Sequence, residues 1–237
     1  MYNILRMLEN PKRTALESIR AQVLSMDLQP GEVLDETSLA SQLGISRTPL
    51  REIIQRLSGE GYLVLERNRG AKVAPMDFAT MRHFFQAAPM IYAAMSRLAA
   101  EQAEPSDVAA LKNIQVRYRA SLVDDSVSAT AMHNHQFHQR IGEMAQSPYL
   151  QPSLDRLLID HTRIGQIFYR STKEDDHDRI EKAADQHDGM IEAFEKRDPA
   201  RAVQLTLEHW ELSRQTIERY VRPDPLSFEL EDVTHAV

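Results

Sequence analysis

The sequence predicts a mainly α-helical protein with two domains, an N-terminal winged helix-turn-helix domain and a C-terminal all-helical bundle of about six helices. Three observations lead to this prediction. Residues 37–74 have the pattern of two short helices, joined by a glycine turn and followed by a hairpin. Residues 78–221 contain only three glycines and no clear alternation typical of strands. A chain of 237 residues is long enough for two domains, each with its own core.

The helix-turn-helix is predicted from apolar spacing and from its turn residues. The first helix is expected over residues 37–43, and Gly44 can end it with a positive φ. Ser46 is expected to occupy the N-cap position of the second helix, because its side chain can accept a hydrogen bond from the first turn. The buried face of that second helix is predicted to consist of Leu50, Ile53, Ile54 and Leu57.

Basic residues lie on the other face of the second helix and at the tip of the hairpin. Arg47, Thr48 and Arg51 lie in the N-terminal part of the second helix, the part of a recognition helix that reaches base edges in the major groove. Arg67 and Arg69 lie at the tip of the hairpin, where they are suited to phosphates or a minor groove. An arginine face on one amphipathic helix is by itself usually only solvated. Its combination with the glycine turn, the capped helix and the basic hairpin favours DNA binding.

The net charge of −7 is unevenly distributed along the chain. Residues 45–75 contain 6 Lys and Arg against 3 Asp and Glu, whereas residues 76–237 contain 18 against 26. The positive charge is therefore concentrated where the second helix and the hairpin lie, and a local patch of this kind decides nucleic-acid binding more than the overall balance does.

Residues 14–75 carry a more specific pattern. They contain Pro30-Gly31, a core of the form LA-x-x-LG-x-SRTP-x-RE, Gly61 after the second helix and Asn68-Arg69-Gly70 in the hairpin. In these features the segment resembles the DNA-binding domain of the GntR family of bacterial transcription regulators. The resemblance runs without a gap, and it implies a winged helix-turn-helix that binds double-stranded DNA.

The same resemblance implies which residues contact DNA. Bases are expected to be contacted by Arg47 and Arg51, phosphates by Ser46 and Thr48, and DNA at the wing by Arg67, Arg69 and Gly70. The chain departs from the acyl-CoA-responsive members at Thr37, where they carry an arginine that contacts DNA. Their operator sequence therefore does not transfer to this chain.

The C-terminal half is divided by prolines and capping residues. Six helices are predicted over residues 78–104, 106–122, 127–146, 149–171, 177–197 and 199–221. Pro89 is expected either to kink the first of these or to mark its true start. The predicted domains are residues 1–75 and 78–222, followed by a loose tail over residues 223–237.

Histidines of this half form a second pattern. The segment His133-Asn-His-Gln-Phe-His138 is similar to the D-x-x-FH signature of the FCD ligand-binding domain, with Asn134 at the place of the usual Asp. Asp185-Gln-His187 and the segment 202–209 resemble the later histidine positions of the same domain. The resemblance implies a bundle of FCD type from the FadR-like subfamily, and six helices suggest its shorter, VanR-like branch. The R-x-x-x-E usual in the first helix of that domain is absent.

The spacing of these residues supports a metal site on physical grounds. Asn134 and His138 are four residues apart on one helix, so both side chains can point to one centre. His187 and His209 lie on two other helices, and inward-facing residues of a bundle can converge. Three imidazoles and an oxygen donor suit Zn²⁺, Ni²⁺, Mn²⁺ or Fe²⁺, with positions left for a carboxylate or water. The alternative is that all of them are ordinary helix histidines.

The remaining histidines and two arginines receive weaker predictions. His133 and His135 are expected to face away from the metal site. The other histidines belong to no predicted cluster, namely His83, His161, His177 and His235. Arg140 and Arg163 are proposed as cations for an anionic effector.

Together these features predict a homodimeric transcription regulator, acting as a repressor on a palindromic operator and controlled by a small organic acid. A metalloenzyme that uses the histidines and a constitutive DNA-binding protein are the alternatives. An enzyme is not expected, because no helix spacing places a general base beside His138 as a hydrolytic metal site requires. The chain has no cysteine and no membrane-spanning apolar run, so a cytoplasmic location is expected.

Overall fold

The computed structural model describes residues 10–67, 69–170 and 174–221. Its N-terminal part contains three helices and a two-stranded antiparallel hairpin among these residues. In chain order the elements are α1 (Pro11–Ser25), α2 (Glu36–Leu43), α3 (Arg47–Glu60), β1 (Leu63–Glu66) and β2 (Gly70–Val73). The predicted winged helix-turn-helix is confirmed. The helix α1 that precedes it was not predicted.

Local signals explain where these elements begin and end. Asp35 accepts hydrogen bonds from two backbone amides of the first turn of α2, at 2.9 and 3.1 Å, and so caps that helix. Gly44 ends α2 with a φ of 64°, which an L side chain rarely adopts. Apolar faces of the three helices and the hairpin then share one core, which includes Leu16, Ile19, Leu50, Ile53, Leu57 and Val73.

The C-terminal part consists of six helices among the described residues. They are α4 (Phe78–Gln102), α5 (Pro105–Val123), α6 (Val127–Ala145), α7 (Gln151–Phe168), α8 (Glu174–Glu195) and α9 (Pro199–Val221). Each lies within about three residues of its predicted bounds. Pro89 lies inside α4, so it does not mark the start of that helix.

The six helices enclose a core that is mostly apolar. Its largest fully buried side chains include Tyr118, Phe137, Phe194 and Met144. Helices α6 and α7 approach each other closely at Gly142, because a Cβ at this position would lie 2.4 Å from a methyl carbon of Leu154. This close approach helps to bring polar side chains of α6 and α7 together inside the bundle.

Helix α7 also contacts the N-terminal part of the chain. The guanidinium of Arg163 donates to the carbonyl oxygen of Ala74 at 2.6 Å. The amide of Gln166 donates to the carbonyl oxygen of Leu24, at the end of α1, at 3.3 Å. Both side chains are buried. One helix of the bundle is therefore joined to the winged helix by hydrogen bonds that water does not reach.

Two predictions concern residues outside this description. The tail predicted over residues 223–237 lies outside the described residues, and so does Asn68 at the hairpin tip. Across the described part of the chain, no helix combines the length and the hydropathy needed to cross a membrane.

Candidate metal centre and nucleic-acid interface

The predicted DNA-contacting residues lie on one exposed side of α3 and on the hairpin. Ser46, Arg47, Thr48 and Arg51 are all exposed at the start of α3, while the opposite face of this helix is buried in the core. Ser46 occupies the N-cap position as predicted. Its side chain makes no capping hydrogen bond, so the hydroxyl remains available to another acceptor or donor.

Arg47 and Arg51 of α3 each form a hydrogen bond with a side chain of α2. Arg47 donates from Nη2 to the hydroxyl of Thr37 at 2.8 Å. Arg51 donates from Nε to a carboxylate oxygen of Glu36 at 3.4 Å, and its side chain is 69% exposed. Thr37, the departure noted in the sequence, therefore helps to orient the arginine that is expected to contact bases.

The hairpin presents its own basic residues. Arg67, Arg69 and Gly70 are exposed at the end of the two strands. Strands β1 and β2 pair from Leu63 with Val73 to Glu66 with Gly70. These basic residues therefore lie at the end of a paired hairpin, where a wing carries its DNA contacts.

Four histidines meet in the centre of the six-helix bundle. His138, His161, His187 and His209 are each at most 6% exposed. Neighbouring rings among them have centroids 4.7 to 5.4 Å apart. As predicted, the side chains of His138, His187 and His209 come together from three helices. One ring nitrogen from each of these three lies within 4.8 Å of the other two.

Polar atoms without partners point to a ligand at this centre. His138 Nε2, His187 Nε2, His209 Nδ1 and Asn134 Oδ1 are buried atoms that have no hydrogen-bond partner. A buried polar atom left unpaired costs free energy, so these four atoms, three of which lie within 4.8 Å of one another, require an explanation. A divalent metal accepts three imidazole nitrogens and one oxygen, and this donor set fits Zn²⁺, Ni²⁺, Mn²⁺ or Fe²⁺.

A residue that the sequence did not reveal fixes the tautomer of His187. Gln115 on α5 donates from its amide nitrogen to the carbonyl oxygen of Ala184 at 2.9 Å. A carbonyl oxygen only accepts, so the other end of the Gln115 amide, Oε1, faces His187 Nδ1 at 3.2 Å. Nδ1 must then carry the proton. Nε2 of His187 is left with its lone pair directed to the centre of the cluster, as a metal ligand requires.

The prediction that His161 belongs to no cluster is wrong. Its Nε2 lies 3.5 Å from the amide nitrogen of Asn134, and its Nδ1 lies 2.8 Å from the hydroxyl of Tyr92. It was missed because it lies on α7, outside the motif of α6, and a lone histidine gives no spacing to recognise. By contrast, Nδ1 of His135 faces the hydroxyl of Thr162 at 2.7 Å.

The two arginines proposed for the effector have other partners. Arg140 donates to carboxylates of Asp107 and Glu143. Arg163 is fully buried, and it pairs with Asp160 and with the carbonyl of Ala74. Their engagement in ion pairs does not support the predicted effector role for either residue. Arg163 instead joins α7 to the end of the hairpin.

Burial keeps these histidines neutral, which metal binding requires. It lowers the pKa of His209 to about 4 and the pKa of His161 to about 3. Burial and repulsion from the neighbouring histidines lower the pKa of His138 and His187 well below the ordinary value. At neutral pH all four rings therefore keep a free nitrogen lone pair.

Little space is left beside the cluster. A cavity of about 10 Å³ is lined by Asn134, His161, Gly165 and His209 among others. A second cavity of about 10 Å³ touches Tyr92 and His138. Each is close to the size of a single water molecule. An organic ligand can bind beside the histidines only if side chains or helices move apart.

Comparison with known proteins decides the family. The model of bacterial regulatory proteins of the gntR family matches residues 11–73, and the model of the FCD domain matches residues 84–212, more than half of the chain. The chain belongs to the GntR family. The predicted GntR and FCD resemblances are both confirmed, and so is the mainly α-helical fold class.

Individual relatives agree with this assignment. The chain is 30% identical over 129 residues to the Nta operon transcriptional regulator of Aminobacter aminovorans. It is 26% identical over 151 residues to a fatty acid metabolism regulator protein of Haemophilus influenzae. The matches cover 54% and 58% of this chain, and they span 60% and 63% of the length of those two proteins.

Solved structures share the fold at lower identity. The E. coli protein McbR/YncC superposes with a TM-score of 0.76 at 18% identity, over 90% of this chain and 100% of that one. A putative GntR transcriptional regulator from Rhodococcus sp. RHA1 gives a TM-score of 0.65 at 17% identity, over 88% and 98% of the two chains. These likenesses show that the fold of this chain recurs in other proteins.

Proposed function

We propose that this chain is a homodimeric DNA-binding transcription regulator, acting as a repressor, in which residues 1–75 bind the operator and residues 78–222 bind the effector. Its affinity for a palindromic operator is controlled by a small carboxylate that binds at a divalent metal in the helical domain. It acts in the cytoplasm and is not an enzyme. The observation that carries the effector proposal is the meeting of three buried and unpaired histidine nitrogens at the centre of the bundle, with the unpaired Oδ1 of Asn134 on the same helix as His138.

DNA binding is supported by the exposed face of α3. Arg47 and Arg51 are exposed on a helix whose sequence matches the GntR model, and both are oriented by side chains of α2. A guanidinium with a fixed direction loses less conformational freedom when it forms a bidentate contact to guanine. A single half-site read by two arginines gives little discrimination. A two-fold symmetric dimer doubles the number of such contacts over a palindrome.

The residues of the cluster would hold the metal in the following way. His138, His187 and His209 would supply nitrogen donors, and Asn134 would supply a carbonyl oxygen. A bound divalent metal would supply positive charge that attracts the carboxylate of an effector. All four protein donors are neutral, and no ligand from the protein would therefore offset the positive charge of the metal.

Helix α7 is the element that we propose transmits effector binding to the DNA-binding domain. His161 and Gly165 of this helix line the small cavity beside the cluster. Arg163 and Gln166 of the same helix make the buried hydrogen bonds to Ala74 and Leu24. A carboxylate ligand is larger than the cavity, so its binding must displace α7 or a neighbour. Displacement of α7 changes how the winged helix is held, and through it the spacing of two winged helices in a dimer.

The experiment has two arms. In the first arm, the operator is obtained by selection from random DNA with the full-length protein. In the second arm, carboxylic acids are screened by thermal shift with and without added Zn²⁺ or Ni²⁺. Acids that raise the melting temperature only in the presence of metal are expected to weaken operator binding in a fluorescence anisotropy titration. Operator affinity that no such acid changes would overturn the proposed control and favour a constitutive DNA-binding protein. Chemical turnover of such an acid would favour the metalloenzyme alternative.

A further inference from the structure

The amide of Asn134 raises a question of orientation that a carboxylate would not raise. Both ends of a carboxylate are oxygen atoms, and either can bind a metal. An amide has one oxygen and one –NH₂ group, and the –NH₂ group has no lone pair to offer a metal. Asn134 can serve as an oxygen donor only if something in the protein holds its amide with Oδ1 towards the three histidine nitrogens.

The structure contains a partner for the other end of this amide. Asn134 Nδ2 lies 3.5 Å from His161 Nε2, whereas Asn134 Oδ1 is buried without a partner. If His161 Nε2 carries a lone pair, it can accept from –NH₂ and cannot donate to Oδ1. His161 would then favour the orientation that turns the oxygen away from itself.

Tyr92 determines the position of His161 in turn. The hydroxyl of Tyr92 lies 2.8 Å from His161 Nδ1, and the two rings meet edge to face at 5.3 Å between centroids. Both side chains are at most 5% exposed. When Nδ1 carries the proton and donates it to the phenolic oxygen, Nε2 is the acceptor that Asn134 needs.

We propose that His161, supported by Tyr92, is a positioning residue that fixes the Asn134 amide with Oδ1 directed to the metal. It acts through Asn134 and is not itself a ligand. The inference rests on the proposed metal site and adds to it the reason why an asparagine serves at this position. Tyr92 of α4, Asn134 of α6 and His161 of α7 together thus present one oxygen to the metal, which a single carboxylate could present without support.

A double-mutant cycle tests this proposal. Zn²⁺ or Co²⁺ affinity is measured by competition with a chromogenic chelator for the full-length wild type, His161→Phe, Asn134→Asp and the double variant. His161→Phe is expected to lower metal affinity about 10- to 100-fold when Asn134 is present, as loss of a supporting partner of a ligand does. In the Asn134→Asp background the same change is expected to cost less than about threefold, because either carboxylate oxygen can bind the metal.

A milder variant keeps the test informative if His161→Phe does not fold. Tyr92→Phe removes one hydroxyl and leaves the ring. It is expected to lower metal affinity by a smaller factor than His161→Phe does. In the Asn134→Asp background this effect should again disappear. Equal losses with and without the Asn134→Asp change would overturn the proposal, because they would show a structural role alone. No loss in the protein that retains Asn134 would overturn it as well.

The outcome also separates this inference from the proposed metal site. Should the wild type hold no more metal than His187→Ala, the metal site itself is wrong and the positioning role falls with it. Should the wild type hold metal that His187→Ala loses, while His161→Phe and Tyr92→Phe bind as tightly as the wild type, the metal site stands and only the positioning role is rejected.

Discussion

At the scale of single residues, Arg47 and Arg51 of α3 are the side chains on which operator recognition is expected to depend. Arg47→Ala or Arg51→Ala should each cost about 1–3 kcal/mol of operator binding and relax specificity at one symmetric position, because each removes a bidentate contact to a guanine. Arg69→Ala should weaken binding to all sequences alike and reduce the salt dependence by about one unit. Fluorescence anisotropy at several salt concentrations measures both effects.

Arg56→Ala is the matched control for these variants. Arg56 lies on α3 too, but it pairs with Glu60 at the far end of the helix at 2.9 Å. Its removal should leave sequence preference unchanged. A binding-site selection in which Arg51→Ala keeps the full preference of the wild type would contradict the assignment of Arg51 to base contacts.

The asparagine of the metal site gives a second prediction at this scale. Asn134→Asp adds a negative charge next to the proposed metal, so chelator competition should show tighter metal binding. The same charge opposes an anionic effector, which should bind equally well or more weakly. Operator affinity without effector should stay nearly unchanged. No gain in metal affinity would place Asn134 outside the ligands of the metal.

Sequence patterns predicted some of these residues and not others, for a physical reason. Asn134 and His138 were found because they lie one helical turn apart, and His187 and His209 because they match positions of the FCD domain. Gln115, His161 and Tyr92 lie on separate helices, and nothing in the local sequence shows that they face the same centre. Side chains that support a ligand from another helix become visible only when the helices are packed.

At the scale of elements, α7 touches both the histidine cluster and the winged helix. Gln166→Leu keeps the size of the side chain and removes its hydrogen bond to the carbonyl of Leu24. Metal content should not change, because Gln166 is not among the unpaired donors. The factor by which an effector acid changes operator affinity should fall towards one, from a typical range of about 5 to 150.

The comparison for α7 is Lys112→Met. Lys112 pairs with Glu195 at 3.0 Å within the helical bundle, away from α7. This variant should keep the full effect of the acid on operator affinity. If Gln166→Leu keeps the full effect as well, the hydrogen bond from α7 to α1 does not carry the coupling.

Helix bounds could be predicted well because the chain marks them with local chemistry. Pro105 and Pro199 are the first residues of α5 and α9, and Asp77 caps α4 by accepting from the amide of Thr80 at 2.8 Å. Such signals act within one turn of the chain. The docking of α7 against α1 depends instead on groups more than a hundred residues apart, and no local pattern encodes it.

At the scale of the whole molecule, the buried histidines make stability depend on pH. Their pKa values in the folded protein are lowered by burial, to about 4 for His209 and about 3 for His161. Above pH 6.5 they are neutral in both states. As the pH falls below 6.5, the unfolded chain binds protons that the folded chain does not, so stability is lost. Stability continues to fall until the pH reaches the pKa values of these histidines in the folded protein.

Chemical denaturation of the metal-free protein measures this effect. Between pH 6.5 and 5 the free energy of unfolding should fall, by up to about 1.4 kcal/mol per pH unit for each buried histidine. His161→Phe removes one of these histidines, so the free energy of unfolding should fall less steeply with decreasing pH, by the contribution of one histidine. A free energy of unfolding that is constant over this interval would mean that these rings are already protonated, or water-accessible, in the folded state.

The whole-molecule proposal joins a DNA-binding domain to a metal-dependent effector domain, and the metal is its most direct test. Metal analysis of the purified full-length protein should find about one transition-metal ion per chain, which EDTA removes. His138→Ala, His187→Ala and His209→Ala should each lose that ion, whereas His135→Ala, whose ring faces Thr162, should keep it. Equal occupancy in the wild type and in His187→Ala would contradict the account and leave the histidines as structural residues of the bundle.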